Sequence, residues 1–297
     1  TNDKGNSDSF TSQGDSFVND SDTERDLEQE FEHYRKLAED DNADAMSKLG
    51  DIYIRGRGVT KSISKAIFYY QKASDLGNSN ASYNLGNCYY HGRGVPKDQV
   101  KAVEFYQKSS SQGNPRALWN LGYCYSYGKG VEKDNFKAFE CYQKSAKQDN
   151  SKALCSLGDC YYNGLGIEKN YSKAIEYYQK SAQKGNSYAL CNLGDCYYNG
   201  DGVEKSYTKA FEYYQQSAKL KNSNALNSVG DCFYHGVGVE INYENAFKFF
   251  KMAADLGNTT AMLNMSLMFE SGKGVPVDQE KALMYIRKAI DLGDVSA

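Results

Sequence analysis

Proline, histidine, tryptophan and long apolar runs are scarce in this chain of 297 residues. Three prolines stand beside 27 glycines and 26 tyrosines, so the turns are made almost without proline and glycine must occupy fixed backbone positions. No run of a dozen apolar residues occurs, which excludes a membrane-spanning helix. No apolar signal-peptide core follows Thr1, so we expect the chain to be a fragment or a processed form.

No strong excess of basic charge is present, and the charge is distributed unevenly along the chain. Residues 1–30 hold nine acidic and two basic residues, a net charge of −7. Because the formal net charge of the whole chain is −3, the remaining 267 residues carry +4. Such a body lacks the positive field that phosphate backbones require, so nucleic acid is not expected as a partner. Residues 1–23 are rich in Ser, Asp, Asn and Gly, which predicts a disordered acidic tail.

A period of 36 residues, without insertions, runs through the rest of the chain. The pair Leu49-Gly50 returns in each copy and weakens only near the end. Residues 24–41 align with the second half of a repeat and predict an N-terminal capping helix. Residues 294–297 are read as the start of a truncated eighth repeat or the C-terminus, and no polar cap closes the array there. The seven repeats are 42–77, 78–113, 114–149, 150–185, 186–221, 222–257 and 258–293.

Each repeat encodes a pair of helices. An asparagine such as Asn150 precedes an amphipathic pattern and is a good helix N-cap. A Gly-x-Gly element beginning at Gly164 then predicts a left-handed helix end and a tight return. Asn170 is a second N-cap, and it opens a helix whose alanine at position 174 recurs in every repeat. A position that holds only alanine, like one that holds almost only glycine, indicates that two helix axes approach closely. The sequence therefore predicts an all-α chain of seven 36-residue helix pairs.

These residues resemble the Sel-1-like repeat, a relative of the tetratricopeptide repeat. The shared pattern is Ala-x3-Leu-Gly-x2-Tyr-x2-Gly-x-Gly-Val, followed by Lys-Ala and Tyr-x-Lys-Ala, and it covers residues 42–293. The resemblance implies a right-handed α/α superhelical solenoid whose concave side holds other proteins, and hence a non-catalytic adaptor or scaffold. The family includes degradation-machinery adaptors, chitin synthase activators, secreted bacterial proteins and kinase fusions, so the repeat alone does not choose among these settings.

The eight cysteines raise the question of disulfides and metals. Five share one helical phase, and stacked repeats place them roughly 10 Å apart, beyond disulfide reach. We therefore predict reduced, mostly buried thiols and a cytoplasmic location. No Cys-x2-Cys spacing occurs, and His91 and His235 lie four repeats apart, so no metal or other cofactor is predicted. The five in-phase cysteines are Cys88, Cys124, Cys160, Cys196 and Cys232.

Two apparent catalytic motifs have structural explanations. Ser62 and Ser206 begin Ser-x-x-Lys sequences like those of penicillin-recognising enzymes, but they occupy an N-cap position that is Asp or Asn in the other five repeats. Gly-x-Gly recurs in every repeat without a preceding strand, which argues against a phosphate-binding loop. No catalytic residue is predicted, and we do not expect an enzyme.

The polar side of the first helices is the candidate binding surface. Helical spacing places Asn, Ser and Asp opposite the apolar face, on the side that faces the groove in a solenoid of this kind. Amides can hold the backbone of an extended peptide, and carboxylates select basic side chains. The candidate residues are Asn84, Asn120, Asn192, Asn264, Asp159, Asp195, Asp231 and His91, with an aromatic patch at Trp119, Tyr123 and Tyr127.

We expect the partner to be another protein that binds through an extended or helical segment. That segment would carry Lys or Arg near repeats four to six and an apolar anchor near repeats two and three. The alternative that this polar face is merely solvated stays open.

Two classes of function compete. One is a cytoplasmic interaction scaffold, which the cysteine usage favours. The other is a secreted, host-directed or ER-lumenal recognition protein such as a microbial effector, for which glycosylation sequons would matter. Further alternatives are a regulatory repeat region of a larger kinase-like or synthase-regulating protein, self-association through the uncapped C-terminal end, and docking of the acidic tail on the array. The sequons begin at Asn19, Asn80, Asn170, Asn258 and Asn264.

Overall fold

The structure is a computed structural model that describes residues 20–293. Within that range the secondary structure consists of 15 α-helices and no strand. Most of the predicted tail, residues 1–19, and the predicted start of an eighth repeat, residues 294–297, lie outside the described residues. The helices are α1 (Asp20–Glu39), α2 (Ala43–Arg55), α3 (Ile63–Asp75), α4 (Ser79–His91), α5 (Gln99–Ser111), α6 (Pro115–Tyr127), α7 (Asn135–Ala146), α8 (Ser151–Asn163), α9 (Tyr171–Gln183), α10 (Ser187–Asn199), α11 (Tyr207–Lys219), α12 (Ser223–His235), α13 (Tyr243–Asp255), α14 (Thr259–Ser271) and α15 (Gln279–Asp291).

The chain divides into two compact units, Thr1–Phe105 and Tyr106–Ala297, and the division falls inside α5. In unit 1, α1 packs on α2, and α3 packs on both α2 and α4. In unit 2, each helix from α6 to α14 contacts the next one along the chain. We refer to the first helix of each repeat (α2, α4, α6, α8, α10, α12 and α14) as an A helix and to the second as a B helix. The prediction of an all-α chain of helix-pair repeats is confirmed.

The caps predicted from sequence form as expected, and repeat four shows the pattern. Asn150 has an extended backbone, and its Oδ1 accepts from the backbone N–H of Lys152 and Ala153 at 3.0 and 3.3 Å. At the other end of α8, Gly164 has a φ of +73°, a conformation that glycine adopts without strain. Asn170 then caps α9, because its Oδ1 accepts from the backbone N–H of Lys173 at 3.0 Å. These caps fix where each helix begins and ends.

The A and B helices of a repeat approach closely at glycine and alanine. Ala174 of α9 is fully buried, and a Cβ atom added at Gly158 of α8 would overlap the ring of Tyr178. The glycine is therefore needed to make room for an aromatic ring rather than to bend the helix. With its ring against Gly158, Tyr178 carries its hydroxyl to the next residue of the A helix, Asp159.

Aromatic side chains fill the remaining space inside each unit. In unit 2 the rings of Tyr161 and Tyr177 stack with centroids 5.5 Å apart and an interplanar angle of 8°. Phe139, from the preceding B helix, meets the same Tyr161 ring edge-on at 5.6 Å. Such pairs join helices within and between neighbouring repeats, so these aromatics act in packing, as their recurrence predicts.

All eight cysteines lie in the described range and are free thiols. Seven are buried and Cys141 is half-buried. Burial raises the pKa of Cys124 to about 12, so this thiol is protonated and unreactive at neutral pH. The location of the protein in a reducing compartment remains a prediction. Among the described helices, none is both long and apolar enough to cross a membrane.

Candidate functional site

The aspartates predicted to face a partner are nodes of a hydrogen-bond network. In repeat four, Asp159 accepts from the hydroxyl of Tyr178 at 2.8 Å and from Nδ2 of Asn192 at 2.9 Å. Tyr178 comes from the B helix of the same repeat, and Asn192 comes from the next A helix. The carboxylate thus joins three helices. The bond from Asn192 also explains why this asparagine follows Asp159 by 33 residues in the sequence.

The same node occurs in unit 1. Asp51 of α2 accepts from the hydroxyl of Tyr70 at 2.7 Å and from Nδ2 of Asn84 at 3.1 Å. Asn84, a predicted partner-binding residue, therefore has a structural bond of its own. An amide held this way can offer solvent or a partner only the hydrogen-bonding positions that this bond leaves unused.

In repeat five the node has lost one donor. Asp195 accepts from the hydroxyl of Tyr214 at 2.7 Å, and this is its only protein donor among the described residues. Asn192 of repeat five bonds the aspartate of repeat four, and Ser228 of repeat six stands at the equivalent position. The hydroxyl of Ser228 donates to the backbone carbonyl of Asn224 at 3.1 Å and does not reach Asp195.

In repeat six the node has lost the other donor. Phe250 stands where Tyr178 and Tyr214 stand in repeats four and five, so Asp231 receives no aromatic hydroxyl. Asp231 accepts instead from Nδ2 of Asn227 at 2.8 Å and from Nδ2 of Asn264 at 3.2 Å. The ring at position 250 still packs on its glycine, so packing is kept and only the hydroxyl is missing.

Burial dominates the electrostatics of these carboxylates. Loss of water contact raises the pKa of Asp159 and of Asp195, although the tyrosine hydroxyl in each case opposes the shift. Burial raises the pKa of Asp231 to about 6, despite opposing contributions from His235 and the two amides. Burial thus disfavours the charged form of all three carboxylates, and a nearby cation would relieve that cost.

A cavity of about 490 Å³ lies beside the two incomplete nodes. It opens between α10 and α12 of unit 2, with α11 contributing Tyr214. Its walls present polar and apolar surface in similar amounts, and Tyr198 keeps 39% of its surface exposed. The lining residues are Asp195, Tyr198, Asn199, Tyr214, Ser228, Asp231, Cys232, His235 and Val237.

The predicted aromatic patch forms a stripe along α6. The ring centroids of Trp119 and Tyr123 are 6.1 Å apart, and those of Tyr123 and Tyr127 are 4.5 Å apart. Tyr127 is the most accessible of the three, with 62% of its surface exposed. Trp119 donates from Nε1 to the hydroxyl of Ser156 at 3.0 Å, and Nζ of Lys152 lies 4.8 Å from its ring centroid. The stripe therefore runs from an anchored tryptophan to an open tyrosine.

The structure differs from the sequence analysis in how freely the polar residues face solvent. The amides of Asn192 and Asn264, predicted to hold a peptide backbone, each donate to an aspartate of the preceding repeat. Asn120 is half-buried, and His91 is exposed at the end of α4 in unit 1. Burial, with help from Arg93, lowers the pKa of His91. The reason for the difference is that neighbouring A helices lie close enough for their amides and carboxylates to bond one another.

The tyrosine partners of the aspartates were missed by sequence reasoning. Tyr178 and Tyr214 each lie 19 residues after their aspartate, a constant spacing that could have revealed the pair. Phe250 and Ser228 could then have been recognised as breaks in that pattern. In the described part of the chain, no group of three or more His, Cys, Asp or Glu side chains is arranged to hold a metal ion.

The repeat pattern and this geometry agree with the match to known proteins. The Sel1 repeat profile matches residues 43–78, 79–114, 115–150, 151–186, 187–222, 223–258 and 259–294. The chain belongs to the Sel1 repeat family. Each matched segment begins one residue after the boundary predicted from the N-cap asparagines. Sel1 repeat proteins generally mediate protein–protein interactions, and their scaffolds are typically non-catalytic.

Solved structures of Sel1 repeat proteins resemble this chain. A protective antigen with an SLR fold from uropathogenic Escherichia coli is 32% identical with a TM-score of 0.72, and the match covers 89% of this chain and 56% of the antigen. This chain therefore spans just over half of that antigen's length. A Sel1 repeat protein from Oxalobacter formigenes is 28% identical with a TM-score of 0.74, covering 82% of this chain and 96% of that protein. No curated protein sequence matches the chain significantly.

Proposed function

We propose that this Sel1 repeat protein is a non-catalytic scaffold that binds a partner polypeptide on the A-helix face of unit 2. The observation that carries the proposal is the aromatic stripe of Trp119, Tyr123 and Tyr127. Its rings are aligned along one helix, and its far end at Tyr127 is exposed. Aromatic side chains held in one orientation supply much contact area at low entropic cost, which is why they dominate binding sites.

The partner is a segment with an apolar anchor and at least one basic residue. The stripe on α6 takes the apolar anchor, and the half-buried aspartates of α8, α10 and α12 attract Lys or Arg. All of these helices belong to unit 2. Eight free thiols support a cytoplasmic setting, in which thiols remain reduced.

Selection of random peptides displayed on phage against the full chain tests the proposal. Enriched peptides are expected to share an aromatic or aliphatic residue together with Lys or Arg. Affinities of synthetic copies are then measured by calorimetry for Tyr127→Ala and for Tyr123→Ala. We expect losses of about tenfold or more, because truncating a central aromatic residue commonly costs over 1 kcal/mol of binding free energy.

Phe136→Ala is the matched control. Phe136 lies on α7, a B helix of unit 2, and is 61% exposed, close to the 62% of Tyr127. This variant should bind the selected peptides as the unchanged chain does. Absence of enrichment, or equal binding by the Tyr127→Ala chain with helicity preserved, would contradict the proposal.

A recognition role outside the cytoplasm is the second candidate, and similarity to the Escherichia coli antigen favours it. Against it, Nδ2 of Asn264, the atom a glycan would modify, already donates to Asn227 and Asp231. Thiol titration of the native and the unfolded chain separates the two. Eight titratable thiols after unfolding without reductant support the scaffold, whereas disulfide-paired thiols support the second candidate.

Self-association through the C-terminal end remains a prediction. On α15, Leu283 and Ile290 are exposed, as is Leu292 directly after it. Sedimentation velocity of the full chain at increasing concentration measures it directly, and a concentration-independent monomer would exclude it.

A further inference from the structure

Two different substitutions weaken two neighbouring carboxylate nodes on the same side of unit 2. Ser228 replaces the asparagine that would bond Asp195, and Phe250 replaces the tyrosine that would bond Asp231. The helix that carries Asp195, α10, and the helix that carries Asp231, α12, are the A helices of repeats five and six. Both aspartates line the cavity of about 490 Å³ described above. Both altered nodes therefore border one cavity.

The carboxylates in this cavity have no Lys or Arg partner among the described residues, although the imidazole of His235 lines the cavity and acts on Asp231. Within residues 20–293, neither Asp195 nor Asp231 forms an ion pair with Lys or Arg. Lys205 contacts aromatic rings, with its Nζ 4.8 Å from the ring centroid of Tyr207 and 6.0 Å from that of Tyr198. Each ionised carboxylate offers about four lone-pair directions, so both retain acceptor capacity.

The chemistry of the walls favours an organic cation over a metal ion. The described residues offer no third ligand grouped with these carboxylates in metal-binding geometry. Ser228 and Asn199 supply neutral oxygens that can accept N–H bonds, and the ring of Tyr198 can flank a cation. The volume lies within the range of pockets that hold small ligands or single side chains.

We propose that the cavity between α10 and α12 takes the ammonium or guanidinium group of one Lys or Arg side chain of the partner segment, bound between Asp195 and Asp231. The cation donates hydrogen bonds to both carboxylates, and its aliphatic stem lies along Tyr198. Asp159 is not part of this subsite, because it does not line the cavity. The inference rests on the proposed function and assigns the basic residue of the partner to a single place.

A short peptide tests the subsite without knowledge of the partner. The probe is acetyl-Gly-Lys-Gly-amide, and its uncharged match is the same peptide with norleucine in place of lysine. The full chain is labelled with ¹³C at the aspartate Cγ atoms, and each resonance is assigned by comparison with Asp→Asn variants. The lysine peptide is expected to shift the resonances of Asp195 and Asp231 while leaving that of Asp159 unchanged. The norleucine peptide is expected to shift none of them.

Variants measure what the subsite contributes to a whole partner segment. For peptides selected by phage display, Asp195→Asn with Asp231→Asn is expected to weaken binding at least about tenfold, because a desolvated charge pair is lost. Asp159→Asn is the matched control and should stay within about twofold. Substitution of the peptide's lysine by norleucine should weaken binding to the unchanged chain but not to the double variant.

The outcomes separate this inference from the proposed function. If selected peptides need Tyr123 and Tyr127 but bind the Asp195/Asp231 variant normally, the subsite is wrong and the scaffold stands. Shifts at Asp159 equal to those at Asp231 would also overturn the subsite, since the lysine would then bind any carboxylate rather than this cavity. If no peptide binds and the lysine probe shifts no resonance, both proposals are wrong.

Discussion

Repeats four and six place an aspartate at the same point of the A helix and surround it differently. Asp159 receives a tyrosine hydroxyl and the amide of the following repeat, so its carboxylate is a cross-link between three helices. Asp231 receives only amides, since Phe250 has no hydroxyl to give. The comparison teaches that a recurring residue can join an A helix to a B helix in one repeat and only to another A helix in a later one. The donors decide which.

The largest effect is expected where the two repeats are alike. A Cβ added at Gly158 or at Gly230 would overlap the ring of Tyr178 or of Phe250. Gly158→Ala and Gly230→Ala should therefore each lower the free energy of unfolding by about 1–3 kcal/mol, because overpacking outweighs the gain in helix propensity. Urea unfolding followed by circular dichroism measures this. A stable Gly230→Ala chain would show that repeat six is packed differently.

The next effect should have opposite signs in the two repeats. Tyr178→Phe removes a hydroxyl that bonds a carboxylate, and we expect a loss of about 1.5–2 kcal/mol in unfolding free energy. Phe250→Tyr supplies the same hydroxyl to Asp231 and is expected to add about 1 kcal/mol. It should also weaken binding of the lysine probe. Equal signs for the two substitutions, measured by urea unfolding, would refute the proposed difference between the nodes.

The raised pKa of Asp231 predicts a pH dependence of stability. Its pKa is about 6 in the folded protein and ordinarily 3.8, so the folded state holds this proton more tightly than the unfolded state does. Stability from this group is therefore highest at acid pH and falls as the pH rises from about 4 through 6. Asp231→Asn removes the titration and should stabilise the chain by about 1–2 kcal/mol near neutral pH, with no gain near pH 4.

Asp134 provides the control with the opposite sign. Its pKa is lowered chiefly by the backbone N–H of Lys137, so its charge is favourable in the folded state. Asp134→Asn should therefore give no gain at neutral pH, and an asparagine caps the equivalent helix in repeat four. Thermal melts of Asp134→Asn and Asp231→Asn between about pH 4 and neutral pH measure this difference. A neutral-pH destabilisation by Asp231→Asn would show that the carboxylate is as structural as Asp159.

The smallest effect is expected from restoring the missing amide. Ser228→Asn should place an amide where Asn192 stands in the previous repeat, and we expect it to bond Asp195 and add about 0.5–1 kcal/mol. Ser156→Asn is the control. The residue 33 positions before Ser156 is Tyr123, whereas the residue 33 positions before Ser228 is Asp195. Ser156 also accepts from Trp119, so this control should gain nothing. Equal stabilisation by both variants would point to helix surface effects alone.

The fold could be predicted almost completely from the sequence. The period of 36 residues, the asparagine N-caps and the glycine helix ends are local signals, and each acts within a few residues of where it is written. The first described helix begins at Asp20, four residues before the predicted start at 24. Such differences at helix ends are common because the terminal turns are weakly determined.

The candidate site could be predicted only in part. The positions of Trp119, Tyr123 and Tyr127 on one helix face follow from helical spacing, and the structure brings their rings together. The amides of Asn192 and Asn264 are predicted to serve a partner, and the structure shows that each also donates to the preceding repeat. Their partners lie 33 residues away in sequence, so no local pattern states that the bond forms.

The sequence by itself determined the helices, their caps and the succession of seven pairs, because those features depend on hydrogen bonds and contacts between residues close in the chain. Only the tertiary structure decided which groups bond each aspartate and which aspartates share a cavity. That outcome depends on the few ångströms between neighbouring helices, where one hydroxyl at position 178 reaches a carboxylate and its absence at position 250 leaves another bonded by amides alone.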